Sequence, residues 1–412
     1  MSVAGKLWII LARPDRLHSA LVAQEAVAAR FPGGCHLLRE DSGWWERAQW
    51  EGYAKRFSSI HAFPRVETCR GVRDLPRLYR ENVVRRLAMA ELPMDSRDDV
   101  LLCLGGTLSI ANAAISAHPS LFKILAIARH MYDDLIRPID RRRFRFTTSG
   151  WFQNRIVEPL VGVERTVNLR PRIRGGGDGA RISRFARHPS EIYDATIVMS
   201  NGGRELPANA VGRVLPARFP SISDLREHAA PDNDESPRVV LFGTPFLLIH
   251  NLKPEVYIER LNLCLDFLRK NYGAHCRLIY RPHPAEKGES ARLDLRQFEI
   301  EDDREAAELY FLKHFHRLAA VYSVSSTVSR VALNNGLNAY SFWRCFDFPP
   351  TAAAFFESVM GEVPSEFDVR NLALPPVAYN QRRVRPDDGR NFSEVLNRAL
   401  DLRRSSIAEP RV

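Results

Sequence analysis

A short apolar run, a turn and a helical stretch follow one another at the start of the chain. The same succession begins again past a polar break beyond its middle. Residues 7–12, LWIILA, are apolar without interruption, which suits a strand covered on both faces rather than one half in water. Residues 19–31 then place alanines and valines at helical spacing, Pro32-Gly33-Gly34 stops that helix, and 35–38 begins a second strand. This is a β-α-β opening, the usual start of a parallel sheet. A further strand is expected at 99–104, turning through Gly105-Gly106-Thr107 into a helix at 108–116, with more strands at 167–169 and 195–199.

The break is 229–237, AAPDNDESP, polar, acidic and flanked by prolines, and it reads as a linker. Past it the pattern restarts. Strands are expected at 238–242, 276–280, 319–322 and 338–342, with helices at 254–271, 304–318 and 327–335. A chain of 412 residues exceeds one ordinary core. The expectation is therefore α/β throughout: a Rossmann-like domain over 1–228, the linker 229–237, a second Rossmann-like domain over 238–380, and a tail with a helix over 381–412. Two such domains would face a central cleft.

With 45% hydrophobic and 26% charged residues, the chain is neither disordered nor collagenous. No apolar run reaches membrane-spanning length. Residues 1–11 hold one lysine and no small-residue cleavage site, so they do not read as a signal peptide, and a soluble cytoplasmic protein is expected. The six cysteines show no C-x-x-C pair and read as reduced core residues. The formal charge of +10 favours anionic partners, including peripheral contact with an anionic inner membrane. The arginines are scattered without interleaved aromatics, so no nucleic-acid partner is expected.

Three segments just past strands of the second domain carry the chemistry. Tyr280-Arg281-Pro282-His283-Pro284 holds an imidazole between two prolines at a strand's carboxyl end, where a phosphate would be met. Ser323-Val324-Ser325-Ser326-Thr327 opens a helix. One hydroxyl there is enough to cap it, and the free N–H groups of a helix start bind anions. Gly243-Thr244-Pro245 is a third turn in the same placement.

A histidine-proline motif followed about forty residues later by paired serines resembles the bacterial sialyltransferases. The likeness is greatest to the capsular polysialyltransferase and lipooligosaccharide sialyltransferase groups. Kdo transferases of capsule assembly and glycerophosphotransferases of teichoic acid synthesis carry similar histidine-proline motifs. The resemblance covers roughly residues 238–345. It implies the GT-B fold, a CMP-sialic acid donor, inversion at the transferred sugar, and no metal or other cofactor. By the same resemblance His283 contacts the CMP phosphate and assists its departure, Ser325 and Ser326 bind that phosphate, and the first domain binds a surface-glycan acceptor of capsule or lipopolysaccharide. Gly243, Thr244, Pro245, Arg281, Pro284 and Thr327 complete the expected nucleotide site. The readings in competition are a CMP-Kdo transferase, a CDP-glycerol glycerophosphotransferase, and a non-catalytic component of polysaccharide assembly.

The families place an acidic general base in the first domain. Gly177-Asp178-Gly179 resembles their motif with glycine in place of its first acid, and Asp133-Asp134-Leu135 is the alternative, so Asp178 is the expected base with Asp134 behind it. Other signals have plainer explanations. Asp232-Asn233-Asp234 matches the D-x-D of metal-using transferases but lies in the linker, and Asp387-Asp388-Gly389 lies in an arginine-rich segment. His314 and His316, two apart on a helix, point to different faces.

Overall fold

In a computed structural model of the chain, the described residues are 5–11, 16–41, 45, 50–64, 75–94, 98–105, 109–129, 132, 189–200, 212–225, 236–244, 252–283, 286, 288–302, 305–360, 363–378 and 390–408. They form two compact units, Met1–Phe219 with Gly389–Val412, and Pro220–Asp388. Each is a parallel sheet flanked by helices, so the α/β, Rossmann-like reading holds for both.

The first unit contains strands β1 (Leu7–Leu11), β2 (Cys35–Asp41), β3 (Ser59–Pro64), β4 (Val100–Leu104), β5 (Phe122–Ala128), β6 (Ala195–Ser200) and β7 (Val214–Arg218), in the order β3-β2-β1-β4-β5-β6-β7. Every described pairing is parallel. β1, β4 and β5 are buried along their whole length; β1 and β4 are apolar throughout, and the one polar residue of β5, Lys123, donates its Nζ hydrogens to the Pro119 and Leu121 carbonyls. The helix Leu17–Val27 is buried nearly all round, and the helix Leu75–Ala90 packs on Ser109–Ala117.

The second unit holds β8 (Arg238–Phe242), β9 (Arg277–Arg281), β10 (Phe298–Ile300), β11 (Leu318–Ser323) and β12 (Ala339–Ser341), ordered β10-β9-β8-β11-β12 and all parallel. On one face the helix Pro254–Tyr272 buries Tyr257, Leu261, Cys264, Leu265 and Leu268 at helical spacing. On that side Tyr322 stacks on Tyr340 at 4.9 Å and on Phe342 at 5.1 Å, and its hydroxyl meets that of Tyr272 at 2.8 Å. On the other face the helix Ala307–His314 sets Tyr310 and Phe311 edge-on to Phe242.

The last helix, Phe392–Ala408, belongs to the first unit. Its Phe392, Val395, Leu396, Ala399 and Leu400 form one buried stripe, and it packs on the helix Leu17–Val27, β6 and β7. Arg30 ties it down through the Asn397 carbonyls and the Asp401 carboxylate. The chain enters the second unit at Pro220, ahead of the acidic segment 229–237. Ile222 and Leu225 are buried there, and the Ile222 N–H donates to Asn335 Oδ1 at 2.7 Å. Residues 229–235 lie outside the described ones, and Pro237 already accepts from the Arg277 N–H.

Several elements go beyond the sequence expectation: β3, β5, β7, β10 and the helices Leu75–Ala90 and Pro350–Met360. The helix expected over 304–318 is confined to Ala307–His314, because Phe315–Arg317 tightens to a 3-10 turn and Leu318 already pairs with Arg238. His314 therefore closes the helix and His316 sits in the turn, with no continuous helix between them. The expected strand at 167–169 lies outside the described residues. No described helix is long and apolar enough to cross a membrane.

A polar cluster is set among the strands of the first sheet. The Trp8 indole donates to the buried carboxylate of Asp99 at 2.8 Å and stacks on the His36 ring at 4.5 Å. His36 Nδ1 and His61 Nε2 both reach Ser59 Oγ, at 2.7 and 2.8 Å, and His36 Nε2 meets the Gly33 carbonyl. Burial lowers both imidazoles below their ordinary 6.5, with Lys6 adding to the effect at His36 and Asp99 opposing it. A lowered pKa means that the folded state prefers the neutral rings. Their stabilisation is thus complete above pH 6.5 and declines as pH falls from there through the folded-state values. Urea unfolding at pH 7.5 and 5.5 should show a larger acid-side drop in midpoint for the wild type than for a His36→Gln/His61→Gln chain; equal drops would contradict this.

Candidate functional site

The three segments of the second unit expected to carry the chemistry leave its sheet side by side. Phe242 at the end of β8 is level with Arg281 of β9 on one side and with Ser323 of β11 on the other. Gly243-Thr244, Pro282-His283 and Val324-Ser325-Ser326 consequently emerge from three adjacent strands at their carboxyl ends. The chain direction also reverses here: β8, β9 and β10 progress one way across the sheet, and β11 returns to the far side of β8. In open parallel sheets ligands bind at such a reversal, because the outgoing loops diverge and leave a crevice.

His283 is half-buried, and burial lowers its pKa below the ordinary 6.5. Its loop is anchored by Glu286. The Glu286 carboxylate accepts from the His283 N–H at 2.8 Å and from the Tyr280 hydroxyl at 3.1 Å, while the Glu286 N–H donates back to the His283 carbonyl at 2.8 Å. The reciprocal pattern resembles the back half of a capping box. Gly243 packs against the same carboxylate, and its N–H continues the ladder to the Arg281 carbonyl at 2.8 Å. A Cβ at Gly243 would stand 2.0 Å from Glu286 Oε1 and 2.9 Å from the His283 nitrogen, so only glycine fits.

The serine segment divides its labour. Ser326 is the N-cap of the helix Thr327–Asn334, its Oγ accepting from the Val328 N–H at 3.3 Å. Ser323 is fully buried and donates to the Ser326 carbonyl at 3.1 Å. The Ser329 hydroxyl lies 2.8 Å from both Ser323 Oγ and the Tyr340 carbonyl, and Ser341 Oγ donates to the Val324 carbonyl at 2.8 Å. A buried hydroxyl network thus holds the turn from below, with Ser325 and Ser326 half-buried above it. The helix start presents its first N–H groups and the positive end of its dipole at the strand ends.

Arg281 is buried one layer beneath these loops. Its guanidinium lies 4.1 Å from the Tyr310 ring centroid and 5.4 Å from that of Phe242, and donates to the Glu305 carbonyl at 3.2 Å. Thr244 is buried at the end of β8 with its hydroxyl beside Tyr257. Thr327 opens the helix. Pro245 and Pro284 lie outside the described residues, as do Asp178 with its glycines and the alternative Asp134. Among the described residues no three histidine, cysteine, aspartate or glutamate side chains are grouped to hold a metal ion.

Sequence reasoning missed Glu286, Tyr280, Ser329 and Ser341. A carboxylate three residues after His283 was the available signal for the first. Ser341 is far along the chain, and only its pairing with Ser323 brings it to the turn.

No protein-family model matches the chain, and no curated protein matches it. Solved structures do resemble it in backbone. A protein from Listeria monocytogenes assigned as a UDP-N-acetylglucosamine 2-epimerase is 12% identical, with a TM-score of 0.49 over 96% of this chain and 87% of its own. An alpha/beta-galactoside alpha-2,3-sialyltransferase from Photobacterium phosphoreum is 9% identical, with a TM-score of 0.46 over 89% and 98%. The ADP-heptose heptosyltransferase II of E. coli is 9% identical, with a TM-score of 0.36 over 98% and 99%. Likeness at this level carries no inference about substrate or activity.

The packing at Gly243 generates a direct test. Gly243→Ala forces the Glu286 carboxylate off the His283 N–H, so thermal unfolding should show a loss of about 1–3 kcal/mol, the usual range for overpacking. An unchanged midpoint would mean that the loop has slack.

Proposed function

We propose that the chain is a GT-B type, inverting, metal-independent glycosyltransferase that transfers sialic acid or a related acidic sugar from a CMP-sugar donor to a surface-glycan acceptor. The observation that carries this reading is the level placement of the His283 loop and the Ser325-Ser326 helix start on either side of Gly243-Thr244. An imidazole, two hydroxyls and a helix N-terminus converging at a strand-end reversal form a site for one phosphate.

In this reading the acceptor hydroxyl attacks the anomeric carbon while Asp178 removes its proton. The bond from that carbon to the phosphate oxygen breaks, and CMP leaves as a phosphate monoester. Charge grows on the departing phosphate, and preorganised donors aimed at it lower the barrier. Ser325, Ser326 and the first N–H groups of the helix Thr327–Asn334 supply hydrogen bonds, and His283 supplies a proton or a hydrogen bond. Arg281, its guanidinium held against the Tyr310 and Phe242 rings and hydrogen-bonded to the Glu305 carbonyl, adds a fixed positive charge from beneath. The formal charge of +10 suits capture of an acidic glycan.

Calorimetric titration with CMP, UDP and GDP in EDTA tests the donor class. Selective CMP binding, weakened at least about tenfold in His283→Ala, is expected, tenfold corresponding to about 1.4 kcal/mol. Preference for UDP or GDP, or no binding of any of the three, would overturn the proposal. Ser326→Asp separates capping from phosphate binding: aspartate caps a helix as well as serine does, yet places a negative charge against the phosphate. Its unfolding midpoint should stay near wild type while CMP binding is lost.

The pH dependence has a definite sign. The free His283 ring is neutral at pH 7 because burial lowers its pKa, and an adjacent phosphate dianion raises it. Binding should therefore take up a proton and tighten as pH falls from 8 towards 6.5, more steeply in wild type than in His283→Ala. Parallel slopes would remove His283 from the phosphate.

A further inference from the structure

The inference rests on the reading just given and names what holds its central imidazole in place. We infer that Glu286 is the positioning residue for His283, through a carboxylate that locks the His283 backbone to the ends of β8 and β9. Between its two oxygens this carboxylate satisfies the His283 N–H at 2.8 Å and the Tyr280 hydroxyl at 3.1 Å, and it fills the space left open by the missing side chain of Gly243. The two anchors differ in kind. Tyr280 is a fully buried residue of β9 with its ring packed in the sheet, so its hydroxyl is a rigid reference point. The His283 N–H belongs to the loop that must be held.

A strand that simply ended would leave His283 on a free loop, and the imidazole would sample many positions. With the N–H of His283 bound to Glu286 and its carbonyl bound to the Glu286 N–H, the residue is held on both sides of its Cα. The side chain then has only its own χ angles left to search. The carboxylate also occupies the His283 N–H, so that group is withdrawn from any phosphate, which meets the imidazole and the helix start instead. The negative charge is tolerated close to an anion site because the His283 N–H and the Tyr280 hydroxyl donate to it. The same geometry accounts for glycine at 243 and for a hydroxylated aromatic at 280, neither of which the phosphate site itself requires.

The test uses the full chain with ¹³C-labelled histidine, reading the His283 ring resonance and its titration, with the signal assigned by His283→Gln. Glu286→Ala should move the resonance and bring its titration back towards 6.5, the ordinary value, as the loop opens to water. CMP affinity should fall about tenfold or more. Glu286→Gln keeps an acceptor oxygen for both partners and should restore the wild-type titration and bring affinity within about threefold. Should Glu286→Ala fail to fold, Tyr280→Phe removes one anchor only and should shift the His283 resonance in the same direction by a smaller amount. An unchanged His283 titration in Glu286→Ala or Tyr280→Phe, or a Gln variant no better than Ala, would overturn the inference. The resonance is read without ligand, so absence of CMP binding in the wild type would sink the donor proposal while leaving this test decisive.

Discussion

Parallel pairing of β8 with β9 on one side and β11 on the other sets the geometry of the second unit. Because Phe242, Arg281 and Ser323 are level, the three loops that follow begin at one height and diverge from one line. A register slip of one residue along β9 would turn His283 to the opposite side of the sheet, because successive side chains alternate. The pairing is protected from such a slip by what each face buries. Leu241, Tyr280 and Tyr322 meet one helix layer, and Phe242, Arg281 and Ser323 meet the other. Exchanging the two sets would put a guanidinium among stacked tyrosines.

On this frame the loops are held by polar groups as well as by the buried side chains of Val324 and Val328. Ser323, Ser329 and Ser341 join the turn after β11 to the neighbouring strand, and Glu286 joins the turn after β9 to Gly243 and Tyr280. Hydrogen bonds are directional and apolar contacts are not, so a network of this kind fixes orientation as well as position. The cost is a set of buried polar atoms that must all stay paired, which makes the turns intolerant of substitution.

Much of the second unit was legible along the chain. The strands at Arg238–Phe242 and Arg277–Arg281 and the helices Pro254–Tyr272 and Thr327–Asn334 stand within a residue or so of expectation, because unbroken apolar runs and a helical stripe are local signals. β7 and β10 were not legible. Val-Leu-Pro-Ala-Arg has a proline within it and Phe-Glu-Ile is only three residues long, and both exist by pairing with a neighbour already in place. The run of hydroxyls at 323–327 was visible, but not its division into a buried anchor at Ser323, a cap at Ser326 and a half-buried Ser325 beside it, since that depends on Ser341 and Tyr340 in another strand. Asp178, the expected base, lies outside the described residues.

The sequence by itself determined the class of each unit and the succession of its strongly apolar strands and amphipathic helices, though not of its short or weakly marked elements. Strand and helix periods are written in neighbouring residues, and parallel sheets of this kind follow from them with few alternatives. It also determined which residue types stand just past the strands. Only the tertiary structure decided which of those loops are neighbours, that Arg281 lies beneath the site with its charge among aromatic rings, that the final helix returns to the first unit, and that Glu286 reaches back to His283 across Gly243. The physical reason is that register, burial and close approach are properties of residues far apart in the chain. No local pattern encodes the 2.0 Å between a side chain that Gly243 lacks and a carboxylate in another loop.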